Sequence, residues 1–214
     1  MSARPVVIVG AGGHGQVVAD ALRAGGQEVL GFVDATRTAG ATVAGLRVLG
    51  DDAWLSVGAG YDLANGLGEI GAGPPRGRRR ALQQRLEAAG FHFVEVRHPT
   101  AIVSPGADIG PGAQLMARCV VQTGASVGSG CLINTGAIVE HGVRLGAFSH
   151  CASGAILCGD VIVGEDAHIG AGAVIREGVC LERATVVGAG AVVLVFEEGE
   201  GPLVGVPARR RGRA

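Results

Sequence analysis

From Val103 to Val193 an aliphatic residue returns at every sixth position. Fifteen of those sixteen positions are Val, Ile or Leu, and the other is Cys151. Four residues after each aliphatic, from Ala107 to Ala191, all fifteen positions hold Ala, Cys, Val, Ser or Thr. Glycine follows the aliphatic directly at 110, 128, 146, 164, 170 and 188. Helices repeat at 3.6 residues and strands at 2, so a period of six fits neither a helix nor an ordinary hairpin sheet. It fits a parallel β-helix, in which each hexad is one short strand plus a corner and three hexads close a triangular coil. The aliphatic fills the core and the small residue fits the corner. The glycine eases either the turn or a close neighbour.

Composition agrees. Glycine is 39 of 214 residues without a collagen period, and proline is only 8, too few for a Pro/Gly-rich disordered chain. Aromatics are 3%, too few for a platform on which bases stack, and the formal charge is −1 with every basic residue an arginine. Such a chain has no global electrostatic reason to bind nucleic acid. No apolar run reaches the length of a membrane span, and no signal peptide is expected. The five cysteines, Cys119, Cys131, Cys151, Cys158 and Cys180, include no CxxC pair. They read as reduced, mostly packing residues of a cytoplasmic protein, with no metal site implied.

The first 98 residues follow a different grammar. Val6–Val9 is a β-branched run suited to a buried parallel strand. Gly10-Ala11-Gly12-Gly13-His14-Gly15 follows, then a helix from Gln16 to Ala24 burying Val17, Val18, Ala21 and Leu22, then a strand from Val29 to Val33 ending on Asp34. Short strands are expected at 47–50 and 91–96, a loop at 71–75, and an amphipathic helix over 78–89. His98-Pro99 marks the junction. The expected fold is therefore an α/β Rossmann-like domain with a parallel sheet, residues 1–98, followed by a parallel β-helix with a C-terminal tail, residues 99–214; that the β-helix is left-handed is implied by the family resemblance given below. The clusters Arg76/Arg78/Arg79/Arg80 and Arg209/Arg210/Arg211/Arg213 read as a solvated helix face and a terminal tail.

Gly10-x-Gly12-x-x-Gly15 with Asp34 nineteen residues on fits a pyrophosphate-binding loop at a helix N-terminus. NAD and a nucleotide-sugar both carry a pyrophosphate and a ribose, so the loop alone does not choose between them.

In the repeat region, residues 18 apart share a corner of adjacent coils, about 5 Å apart. His141 therefore stacks on Gly159. An imidazole beside an unhindered backbone N–H suits a base and an oxyanion donor flanking one reacting carbon. His150 stacks on His168, for which packing is the plainer reading, and Ala171 stacks on Ala189 at a corner with no side chain to block a ligand. His92 is expected to be exposed and His98 to serve a turn.

The chain resembles the bacterial nucleotide-sugar N-acetyltransferases of the left-handed β-helix superfamily, grouped with sialic acid O-acetyltransferases; perosamine and bacillosamine-pathway enzymes are its best-known members. The resemblance rests on residues 9–15, His98-Pro99, the stretch from Ile133-Asn134-Thr135-Gly136-Ala137 to Val139-Glu140-His141, Phe148-Ser149-His150, and Gly205-Val206-Pro207-Ala208. It implies acetyl-CoA as donor, a nucleotide-linked amino sugar as acceptor and a homotrimer. It further implies that His141 is the general base and the Gly159 amide the oxyanion donor. His150, Gly159, Ala171 and Ala189 would line the coenzyme site, and Gly12, Gly13, His14 and Asp34 would hold the nucleotide.

One position departs from the family. An Asp or Glu usually follows the base; here it is Gly142, and Glu140 replaces it only if the corner turns it toward the ring. The expected activity is acetyl-CoA-dependent N-acetylation of a GDP-perosamine-like or UDP-4-amino sugar for surface polysaccharide, such as O-antigen, or glycan biosynthesis. A sugar O-acetyltransferase of the sialic acid type is the nearest rival. An NAD-dependent oxidoreductase and a non-catalytic trimerisation module are the alternatives of other classes.

Overall fold

The computed structural model describes residues 4–68, 77–196, 198 and 200–212. The expected loop at 71–75, Arg76 and Arg213 lie outside the described residues. Two compact units emerge, one ending at Pro99 and the other running from Thr100.

In the first unit a parallel sheet is built around β1 (Val6–Val9), whose four residues are all buried. β1 pairs in parallel with β2 (Val29–Val33) on one side and β5 (Asp62–Asn65) on the other. β2 then pairs with β4 (Leu46–Gly50), and β3 (Thr42–Val43) closes that edge as an antiparallel hairpin with β4. Ala44 and Gly45 join β3 to β4, both at positive φ (49° and 74°). That is the backbone which the twist of a two-residue hairpin requires. Nothing like Asn-Gly announces it, and Asp62 and Asn65 hide β5 behind polar letters although both are buried.

The first helix, α1, spans Gly13–Ala24 and so begins three residues earlier than the composition indicated. Its buried face is Gly15, Val18, Ala19, Ala21 and Leu22, while Val17 is 43% exposed because it lies outside that stripe, roughly 120° around the helix from its centre. The second helix, α2 (Arg78–Ala88), buries Arg79, Gln83 and Leu86, with Leu82 half-buried. Arg79 is thus not part of a solvated face. Its guanidinium donates to the Leu67 carbonyl at 3.4 Å, and its own carbonyl accepts from the Asn65 amide at 3.0 Å. Residues 91–96 do not form one strand. Phe93 makes a single parallel bridge to Leu63, and Val96–Arg97 is a separate two-residue strand.

The second unit is the β-solenoid the hexads require. Two-residue strands stack in three parallel sheets with a register of 18, as in Val120↔Ile138, Ser126↔Arg144 and Leu132↔His150. The every-sixth aliphatics from Leu115 to Val193 are buried, forming one continuous core with the small corner residues, Cys119, Cys131 and Cys151 included. The backbone adds a second period of six. Every sixth residue from 112 to 190 has φ between 56° and 72°. Nine of those fourteen are glycine; Arg118, Phe148, Asp160, Asp166 and Ala184 occupy the rest. The glycines that follow the aliphatics do a different job. A Cβ at Gly110, Gly128, Gly146 or Gly170 would stand 2.5–2.7 Å from the backbone nitrogen 19 residues on, so close approach of the next coil, not the turn, selects glycine there.

Arg209 and Arg210 belong to a strand, not to a trailing tail. Leu203–Val204 continues one sheet beside Val187, and Arg209–Arg210 returns antiparallel to it. The Arg210 guanidinium lies 5.0 Å from the Phe196 ring centroid and donates to the Gly201 carbonyl at 2.6 Å. This hairpin covers a strand edge that a parallel stack would otherwise leave open.

Candidate active site

His141 and Gly159 meet as the 18-residue spacing predicts. The imidazole lies against the Gly159 α-carbon so closely that a Cβ on that residue would stand 2.5 Å from Cε1 and 2.7 Å from Nε2. A side chain at 159 would therefore displace the ring from this rest position, and the backbone dihedrals of Gly159 do not themselves call for glycine. The corner is held by a ladder of amides: Gly142 N–H to the Thr123 carbonyl at 3.4 Å, Asp160 N–H to the His141 carbonyl at 2.9 Å, and Gly178 N–H to the Gly159 carbonyl at 3.0 Å. Among the described residues, no protein acceptor takes the Gly159 N–H. His141 itself is exposed.

Acidic side chains crowd this corner. Cys158, one coil on from Glu140, keeps a thiol whose pKa is raised, first by burial and then by the Glu177 and Glu140 charges, against a hydrogen bond from the Glu177 amide. Glu140 thus bears on Cys158. A different acid reaches Gly142. The Asp160 carboxylate occupies the space that a side chain at 142 would fill, with Cγ 3.2 Å from where that Cβ would be. Asp160 escaped the sequence reading, although the same 18-residue step that links His141 to Gly159 links Gly142 to Asp160.

The other candidates lie on one sheet of the solenoid and in the turns that follow it. His150 and His168 are in register, with ring centroids 4.9 Å apart and planes at 67°. The Asn134 amide nitrogen lies 3.4 Å from His150 Nε2. Ala171 and Ala189 are exposed and stacked, the Gly190 N–H donating to the Ala171 carbonyl at 2.8 Å. This open ledge is built only of methyl groups and backbone.

In the first unit the glycine loop divides by role. A Cβ at Gly15 would collide with the Gly10 carbonyl, and a Cβ at Gly66 would collide with the same oxygen. These glycines let the loops after β1 and β5 and the start of α1 pack together. Gly12 and Gly13 have nothing within 4 Å of a would-be Cβ, and α1 begins with no side-chain cap. The N-cap residue, Gly12, has no side chain with which to cap the helix. His14 packs its Cβ toward Gly68. Asp34 braces the loop: one carboxylate oxygen accepts from the Ala11 N–H at 2.7 Å, the other from the Thr36 N–H at 2.8 Å and hydroxyl at 2.6 Å. Partial burial alone would raise its pKa. The bonds from Thr36 and Ala11 and the nearby Arg37 charge outweigh that, and the carboxyl is held below its ordinary value. Among the described residues, no group of three or more His, Cys, Asp or Glu is arranged to hold a metal ion.

Residues 5–70 match the PglD N-terminal domain family. No curated protein sequence matches this chain. Among solved structures, the perosamine N-acetyltransferase PerB of Caulobacter crescentus, in complex with CoA and GDP-perosamine, is 36% identical over 99% of both chains, with a TM-score of 0.87. That relative has also been solved with a histidine replaced by asparagine and by alanine. The acetyltransferase domain of PglB from Neisseria gonorrhoeae, in complex with acetyl coenzyme A, is 35% identical over 98% of this chain and all of that one, with a TM-score of 0.87. WeeI from Acinetobacter baumannii, 24% identical over 96% of this chain and 98% of that one at a TM-score of 0.83, shares the fold.

Proposed function

This chain belongs to the β-helical nucleotide-sugar N-acetyltransferases, and from that premise we propose that it moves the acetyl group of acetyl-CoA onto the amine of a nucleotide-linked amino deoxysugar. The observation that carries the proposal is the His141 ring resting on the Gly159 backbone. His141 takes a proton from the sugar ammonium, and the neutral amine attacks the thioester carbonyl carbon. The C–N bond forms and negative charge collects on oxygen, where the Gly159 N–H stabilises it. Collapse breaks the C–S bond, the imidazolium returns its proton to the coenzyme sulfur, and the second proton on nitrogen leaves to solvent. An imidazole suits this exchange because its ordinary pKa, about 6.5, lies near neutrality.

Direct transfer is favoured over an acyl-cysteine route. Cys158 adjoins Gly159, but its raised pKa keeps it a thiol, and the thiolate is the nucleophilic form. In this reading the Ala171–Ala189 ledge takes the coenzyme with His150 beside it, and Gly12, Gly13 and His14 take the nucleotide. Asp34 accepts one hydrogen bond on one carboxylate oxygen and two on the other, and the lone pair left on the first is offered to a ribose or base. Glu140 completes the corner. The acceptor is of the GDP-perosamine or UDP-4-amino-sugar type, made for a surface polysaccharide such as O-antigen. The five free thiols fit the cytoplasm, where acetyl-CoA is available. Packing of three copies by cyclic symmetry would turn open ledges into clefts.

The test is a panel of GDP-, UDP- and dTDP-linked amino sugars and their hydroxy counterparts, each incubated with acetyl-CoA and analysed by mass spectrometry. One acetyl group added to an amino sugar, with stoichiometric free thiol, is expected. Acetylation of the hydroxy sugars alone would make the enzyme an O-acetyltransferase, and reaction with neither would overturn the proposal.

A further inference from the structure

Gly142 and Asp160 are the same corner residue of neighbouring coils. Both have left-handed backbone, φ 69° and 60°. Most such corners carry glycine, because a Cβ is strained there, although aspartate is among the side chains that tolerate it best. At this pair the strain coincides with a fit. The Asp160 side chain leans back over the preceding coil, and its Oδ1 lies where a Gly142 Cβ would project. Its N–H meanwhile donates to the His141 carbonyl at 2.9 Å. One residue is therefore tied to His141 through the backbone and lays its carboxylate beside the residue that follows His141. Any side chain at 142 would evict it. The other acids of the corner, Glu140 and Glu177, raise the pKa of Cys158.

We propose that Asp160 is the positioning residue for the base: its carboxylate, delivered from the next coil into the space left by Gly142, orients the His141 imidazole and stabilises the imidazolium formed when the amine gives up its proton. The physical basis is that a fixed anion one residue away lowers the energy of a cation that exists only along the reaction path. It acts through space, without touching substrate. The inference rests on the reading of His141 as base.

The test is Asp160→Asn. Asparagine keeps the shape and tolerates left-handed backbone at least as well, so the fold is retained and a melting curve verifies it. The expected result is a fall in kcat of about tenfold, with KM for acetyl-CoA and for the nucleotide sugar within about twofold, since the lost interaction is made only as the proton moves. Moving the carboxylate supplies a second arm. Asp160→Gly should lose the same kcat, and adding Gly142→Asp to it should restore most of it. A folded Asp160→Asn with full kcat would overturn the proposal. So would a rise in the sugar KM at unchanged kcat, which would make Asp160 an ammonium-binding group. A relocated carboxylate that melts as wild type yet restores nothing would also overturn it. His141→Asn separates the two readings. If it is fully active the base assignment fails. If it is inactive while Asp160→Asn is fully active, only the role of Asp160 fails.

Discussion

The His141 ring lies on the α-carbon of Gly159, where a Cβ would come within 2.5 Å of Cε1 and 2.7 Å of Nε2. Residue 159 is therefore a sensor of ring position. Gly159→Ala should push the imidazole aside while leaving the corner's amide ladder intact. We expect kcat/KM to fall by roughly 10²-fold, in line with the sensitivity of catalysis to small misplacements, with a melting temperature near wild type. A variant within threefold of wild type would mean that the ring's rest position on Gly159 has no part in the reaction.

The glycine loop separates packing from binding. Gly12→Val meets nothing within 4 Å in the protein and should fold normally. It should raise KM for the nucleotide sugar by roughly tenfold or more, because its branched side chain stands where the phosphates would approach the helix N-terminus, and leave KM for acetyl-CoA unchanged. Gly15→Ala should instead destabilise the first unit, by about 1–3 kcal/mol, since its methyl group collides with the Gly10 carbonyl. Steady-state kinetics with each substrate varied, alongside thermal melts, distinguish the two. Loss of acetyl-CoA affinity in Gly12→Val would reverse the assignment of ligands to units.

At the other corner, Ala171→Phe fills the ledge beside Ala189. It should raise KM for acetyl-CoA about tenfold or more while the nucleotide sugar still binds, because Ala171 and Ala189 are exposed and each presents only a methyl group and backbone. Isothermal titration with CoA and with the nucleotide sugar reads both. An unchanged CoA affinity would place the coenzyme elsewhere.

Asp34 gives a pH signature. Its folded pKa lies below its ordinary value of 3.8, so its bonds to Ala11 and Thr36 stabilise the first unit fully above that pH. The stabilisation is lost as pH falls through the lower folded value. Asp34→Asn should lower the melting temperature at neutral pH, and the gap to wild type should narrow below 3.8 as the wild-type carboxylate protonates. A gap that is the same at pH 7 and at the acid end would remove the charge from this role.

The solenoid was readable because its period, its inward aliphatics and its 18-residue register are one repeated constraint. The same arithmetic placed His141 over Gly159 and His150 beside His168. What it left unread was local. The β3–β4 hairpin turns on Ala44-Gly45, a pair with no strong turn signature, and β5 ends on a buried Asn65 that reads as polar surface. Arg79 looked solvated because a run of arginines hides the one that a carbonyl draws inward. Asp160 is hard to read from sequence because the neighbour of Gly142 in space is 18 residues away. Gly142→Asp alone would therefore set a second carboxylate against Asp160 in one volume.

The most direct test of the account is the kcat/KM of His141→Asn against wild type, measured by thiol release from acetyl-CoA with the best nucleotide-linked amino sugar of the panel. The account predicts a loss of roughly 10² to 10⁴, with both ligands still bound and the melting temperature unchanged, as expected for removal of a general base from an intact site. A variant within tenfold of wild type would contradict it and take His141 out of the chemistry.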